Sequence, residues 1–177
     1  MISKANTLPA LKYLSAYPEH IQARVSQLIA KNELGPLLAQ RYPHKHQVQT
    51  DKALYDYVTE IKQEFFRNSA AIAKVAFDSK IKVIQHALGT HTQISRIQGG
   101  KLKSKHEIRI ASLFKNTAPE FLKMIVTHEL AHLKEKDHNK AFYQLCQHIE
   151  PNYMQLEFDL RLYLTHQDLN SSSTDNY

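Results

Sequence analysis

The chain predicts an α+β fold in which a small, mainly antiparallel sheet packs on one motif-bearing helix, with further helices N-terminal to it. Three observations lead there. Apolar residues recur at three- and four-residue steps over the first 70 residues and again after Thr117. Between about Ala73 and Ile110 the period shortens to two, with turn residues between the segments. The later helical stretch carries His128-Glu129-Leu130-Ala131-His132, followed six residues on by His138.

Within 177 residues, of which 42% are apolar, there is material for a core. The expected organisation is an N-terminal helical region over 1–72, packed on a catalytic core over 73–169. The tail over 170–177, rich in Ser, Asp and Asn, is expected to be disordered. No run of 18 apolar residues is present, so no membrane span is expected. The start lacks the apolar segment of a signal peptide, and a single cysteine, Cys146, rules out an intramolecular disulfide framework. These features point to a cytoplasmic protein. A net charge of +6 permits an anionic partner without requiring one.

In chain order, Pro18 suits the first turn of a helix whose stripe is Ile21, Val25, Leu28 and Ile29. Gly35-Pro36 is expected to break that pattern before Leu37-Leu38-Ala39. Tyr42 to His46 reads as a solvated loop, which leaves His44 and His46 without a role. A second helix, from an N-cap at Asp51 to about Arg67, buries Leu54, Val58, Ile61 and Phe65. Lys74–Phe77 and Ile81–Ile84 flank Asp78-Ser79-Lys80 as a hairpin, and Thr92–Ile97 is a third strand. Gln98–Lys105 reads as a flexible basic connection, and His106–Ile110 alternates as a half-buried strand does.

The motif helix has a start signal in Thr117-Ala118-Pro119-Glu120, a capping box with Thr117 as N-cap. Leu122, Val126, Leu130 and Leu133 face the core, and His128 and His132 fall on the neighbouring stripe with Phe121 and Ile125. The helix is expected to stop at Lys134–Asp137, with Asp137 or Asn139 capping the next one, whose stripe is Phe142, Leu145, Cys146 and Ile149. Cys146 therefore reads as a small core residue rather than a nucleophile. After Pro151, the segment from Met154 to Leu164 fits either a strand or a helix, and Pro151 favours helix.

The chemistry lies in the motif. Positions i and i+4 share a helix face, so His128 and His132 can direct two imidazoles at one cation, with Glu129 beside them to work on a water. At this chain's His and Glu frequencies a chance match is expected about 0.04 times. His138 is the third ligand, provided the helix breaks, because continued helix would carry it about 240° round. Three imidazoles favour Zn2+ over the oxygen-seeking Mg2+ and Ca2+, and leave a fourth position open. A water activated there would pass its proton to Glu129 and attack a carbonyl, and Glu129 would return the proton to the leaving nitrogen. Tyr143 and Arg109 are candidates for binding the substrate and its oxyanion, against the plainer roles of packed aromatic and surface cation. An exposed edge at His106–Ile110 could align an extended peptide.

From His128 through Asp137 and His138 to Phe142, the sequence resembles the YgjP-like family of metal-dependent hydrolases. These are minimal zincin metallopeptidases related to the WLM and SprT-like groups. The likeness runs from near Lys74 to the helix after Pro151, and Tyr17-Pro18, Arg41-Tyr42-Pro43 and Thr50–Leu54 resemble the YgjP group itself. The resemblance implies a zincin-like fold with a small sheet packed on the motif helix. It also implies Zn2+ ligation by His128, His132 and His138, with Glu129 catalytic. One departure stands out: where many of the wider family carry Trp-Gly-Ser-Cys, this chain has Gln98-Gly99-Gly100-Lys101. Arg96, Lys101, Lys103, Lys105 and Arg109 make that region basic, as a solvated loop or as a surface for an anionic substrate.

The leading expectation is a zinc-dependent peptidase or amidase. The first alternative is a nucleoside triphosphate pyrophosphatase acting on UTP, a label that similar proteins carry, although no paired-carboxylate motif for Mg2+ is present. The second is a non-catalytic, zinc-containing module that binds nucleic acid through the basic region.

Overall fold

A computed structural model describes residues 9–81, 89–98 and 101–174, with the backbone alone at 9–10, 89–98, 101–104 and 173–174. The fold is α+β. Its contacts group into two units, residues 1–43 with 157–177, and residues 44–156. The second helix therefore lies with the sheet and the motif, not with the helices that precede it.

The first unit contains a 3-10 segment, Pro9–Leu14, and helices α1, Glu19–Ala30, and α2, Leu34–Arg41. It also takes the larger part of α6, Tyr153–Thr174. Pro18 stands at the N-cap of α1. Gly35 and Pro36 do not break the helical pattern as expected; they lie in the first turn of α2, where a missing N–H costs nothing. Gly35 also lets α2 approach α6, since a Cβ there would sit 2.8 Å from the His166 ring. Leu14, Val25, Leu34, Leu38 and Leu162 form the core. Beside them the buried Asp159 accepts from Arg41 Nη1 at 3.1 Å and from the Tyr42 hydroxyl at 2.5 Å.

The helical reading of the C-terminal segment holds. It looked strand-like because Leu156, Leu160, Leu162 and Leu164 are all buried, so the helix shows no single apolar stripe. Helix α6 also continues through Asn170–Thr174, residues that composition had assigned to a disordered tail.

The second unit holds α3, Asp51–Phe65; β1, Ile72–Asp78; β2, Gly89–Gln98; β3, Lys101–Ala111; a 3-10 turn, Ser112–Asn116; α4, Pro119–Ala131; and α5, Lys140–Ile149. The α3 cap is Thr50, whose hydroxyl accepts from Ala53 N at 3.1 Å, one residue before the expected Asp51. Asp51 instead accepts from Phe77 N at 2.9 Å, which fixes the start of α3 to β1.

The sheet has the order β1-β3-β2, with β1 parallel and β2 antiparallel to β3. It is mixed rather than mainly antiparallel. Of the expected hairpin, β1 is present and Lys80 N bonds Asp78 Oδ1 at 2.8 Å across the turn, while residues 82–84 lie outside the described residues. Lys101–Lys105 is strand, not a flexible connection, because β2 and β3 pair without interruption from Gly89↔Ile110 to Gln98↔Lys101. His106–Ile110 is the centre of the sheet and not its edge. Both sides of its backbone are already paired, so strand addition there is closed to a peptide.

Helix α4 lies against β2 and β3. Its N-cap is Ala118, with Pro119 at the first helical position. Thr117 is one residue too early to cap, and its hydroxyl donates to Phe114 O at 3.0 Å. The pre-set φ of proline starts this helix, where a capping box had been expected. His46, expected in a solvated loop, is buried against the same turn, its Nε2 2.5 Å from Phe114 O, while His44 is exposed.

Candidate metal centre

Almost all of α4 is buried, from Phe121 to Val126 apart from Lys123, and again at Thr127 and Glu129–Ala131. His128 and His132 are the half-buried exceptions near its C-terminal end, on one helix face at the boundary of the core. The helix ends at Ala131, earlier than the sequence suggests, and tightens through Leu133 N→Leu130 O and Lys134 N→Ala131 O, each 3.0 Å. That early stop does two things. It returns the chain so that the exposed His138 Nε2 lies 3.2 Å from His128 Nε2 and 3.1 Å from His132 Nε2. It also turns the Glu135 carbonyl to the His132 ring, where it lies 2.9 Å from Nδ1. Asn139 then caps α5, its side chain accepting from Phe142 N at 2.9 Å.

Among the described residues, His128, His132 and His138 form the group that could hold a metal ion, their ligand atoms within 4.8 Å of one another. The donor set fits a borderline divalent cation, since all three inward atoms are imidazole nitrogens. Two of the rings are also oriented from behind. A carbonyl only accepts, so His132 carries its proton on Nδ1 and turns a lone pair inward from Nε2. His128 Nδ1 lies 2.7 Å from the Tyr153 hydroxyl. The Phe142 ring packs against all three histidines, with centroids 4.7 to 4.9 Å away, giving the group an apolar floor.

Burial dominates the electrostatics of the site. Burial and the neighbouring His132 and His138 push His128 down to about 3, so its ring stays neutral at ordinary pH. Burial alone pushes the Glu129 carboxyl up to about 8. These shifts have opposite consequences for protein stripped of metal by a chelator. Folded His128 refuses a proton that the unfolded chain accepts, so stability falls as pH drops from about 6.5 toward 3. Folded Glu129 keeps a proton that the unfolded chain loses, so its contribution is present below about 4.5 and is lost as pH rises through 8. Thermal melts of the stripped protein should therefore show Glu129→Gln gaining on wild type steadily between pH 4.5 and 8. A difference independent of pH would contradict the burial of an ionisable Glu129.

Of the two substrate-binding candidates, the structure brings Tyr143 to the triad and does not bring Arg109 there. Tyr143 sits 6.4 Å, centroid to centroid, from both His138 and Tyr153. Arg109 projects from the face of β3 opposite the buried Ile108 and Ile110, paired with Asp78 and Glu107 at 2.9 Å each. The side chains of Arg96, Lys101 and Lys103 lie outside the described residues, and Lys105 is exposed. Sequence reasoning missed Tyr153 and the Glu135 carbonyl. Neither has a motif: a backbone oxygen has no sequence signature, and Tyr153 stands 25 residues from His128. No helix among the described residues is long and apolar enough to cross a membrane.

Comparison with known proteins agrees with this geometry. A UTP pyrophosphatase of Escherichia coli (strain K12) is 58% identical over 155 residues, covering 88% of this chain and 93% of that protein. No solved structure matches the chain. The family model described as YgjP-like, metallopeptidase domain, matches residues 17–163. With that span carrying the histidine triad, the chain belongs to the YgjP-like family, and it is a metal-dependent hydrolase.

Proposed function

We propose that this chain is a cytoplasmic zinc-dependent hydrolase that cleaves a nucleoside triphosphate, UTP foremost, to the monophosphate and pyrophosphate. One observation carries the substrate: a relative 58% identical across nearly its whole length is a UTP pyrophosphatase. In this reading His128, His132 and His138 hold the ion, a role supported by their converging Nε2 atoms. When bound, zinc supplies Lewis-acid activation of a water and of the phosphorus centre. Every other part falls to the protein. Glu129 takes the proton as water attacks and the phosphoanhydride bond between the α- and β-phosphorus breaks; pyrophosphate leaves with that electron pair. A cation next to a carboxyl raised by burial favours its ionised form, so the loaded site has its base ready near neutral pH. Tyr143 donates its hydroxyl to a phosphate oxygen in this reading, a role supported by its ring lying 6.4 Å from that of His138.

A peptidase is the second reading, favoured by the family's description as a metallopeptidase domain. Its expected docking edge at His106–Ile110 is not available, since β3 is flanked by β1 and β2, the two outer strands of the described sheet. Incubating the zinc-loaded protein with nucleoside triphosphates and with peptide libraries separates the two. We expect pyrophosphate release from UTP that stops on chelation and no peptide cleavage. Peptide cleavage without pyrophosphate would overturn the proposal.

A further inference from the structure

Behind the triad lies a side chain that no motif marks. We infer that Tyr153 is a positioning residue for His128, its hydroxyl accepting the Nδ1–H and holding the ring with its Nε2 lone pair toward His132 and His138. The inference rests on the reading that these three histidines hold a metal ion.

The hydroxyl lies 2.7 Å from His128 Nδ1, and the two rings are nearly parallel, 18° apart with centroids at 6.4 Å. Tyr153 is fully buried, so its ring has no room to swing away. Its backbone is held as well. Tyr153 N donates to Glu150 O at 2.9 Å, and Glu150 Oε1 accepts from Asn152 N at 3.1 Å. The other Glu150 oxygen, Oε2, pairs with Lys123 Nζ at 2.9 Å. Lys123 and His128 sit on the same helix, α4, so the turn that launches Tyr153 is anchored to the helix that carries its target.

The direction of the hydrogen bond follows from the triad. His132 gets its tautomer from a backbone carbonyl, which can only accept. A tyrosine hydroxyl can do either. If it donated, the His128 proton would sit on Nε2, 3.2 Å from His138 Nε2, and would block the inward lone pair. Acceptance leaves Nε2 free to ligate, which is the orienting relation that metal-binding histidines show toward their outer partners.

Long-range proton–nitrogen NMR on the full chain after chelation reads the tautomer directly. We expect His128 as the Nδ1–H form in wild type; a dominant Nε2–H form would overturn the inference whether or not zinc binds. Tyr153→Phe keeps the buried ring and deletes only the acceptor. In that variant we expect a shift toward the Nε2–H form and a loss of zinc affinity of about 10- to 100-fold in chelator competition. An unchanged tautomer and affinity would overturn it. Failure of wild type to bind zinc at all would instead sink the metal-centre reading, so the two failures are distinguishable.

Discussion

Glu129→Gln should lower turnover of the preferred substrate by about 10²- to 10⁴-fold, the usual worth of a positioned general base, while zinc remains stoichiometric. The substitution is nearly isosteric, and Glu129 is 2% exposed, so the amide keeps the packing of α4 and loses only the ability to take a proton. The three imidazoles are untouched, so chelator titration should give the wild-type affinity. The split is what gives the experiment its force. Loss of activity together with loss of zinc would make Glu129 a support for the ligands rather than the base. Wild-type turnover by the glutamine variant would remove general-base catalysis by Glu129 altogether. Assayed on UTP and peptide side by side, the same variant also identifies which activity belongs to this site and which to a contaminant.

His132→Ala should abolish zinc binding at practical concentrations. Losing an outer-shell partner alone costs 10- to 100-fold in affinity, and this substitution removes a ligand atom together with its anchor on the Glu135 carbonyl. We therefore expect a drop exceeding about 10²-fold, with activity lost in parallel. Because a ligand that binds only the folded state stabilises it, wild type should gain about 4 kcal/mol at zinc a thousandfold above Kd. The variant should show no zinc-dependent rise in Tm. Stripped of metal, the two proteins should melt at similar temperatures, since His132 is half-buried at the edge of the core. Zinc binding undiminished by the substitution would place the metal elsewhere.

Much of this site can be read from residue order alone. The i, i+4 spacing of His128 and His132 puts both rings on one face whatever surrounds them, because helix geometry is local. The need for a break before His138 is equally local, and Asn139 as the next cap follows from side-chain chemistry that acts over three residues. The α+β class likewise follows from two hydrophobic periods that burial imposes strand by strand and helix by helix.

Order along the chain could not decide what depends on distant partners. Strand periodicity states which residues of β3 face inward and is silent on which strands flank it; the parallel pairing with β1 put His106–Ile110 at the centre of the sheet and removed the expected peptide edge. Arg109 looked available to a substrate, yet Asp78, 31 residues away, binds it. The buried faces of α6 obscured its helical stripe, because burial on several sides leaves no polar side for a pattern to show. Local spacing thus determined the histidine triad and its glutamate. Only the tertiary structure decided what stands behind them: Tyr153 from the start of α6, because a hydrogen bond across 25 residues leaves no period in the sequence, and a carbonyl freed where α4 stops, because every residue carries the same backbone oxygen.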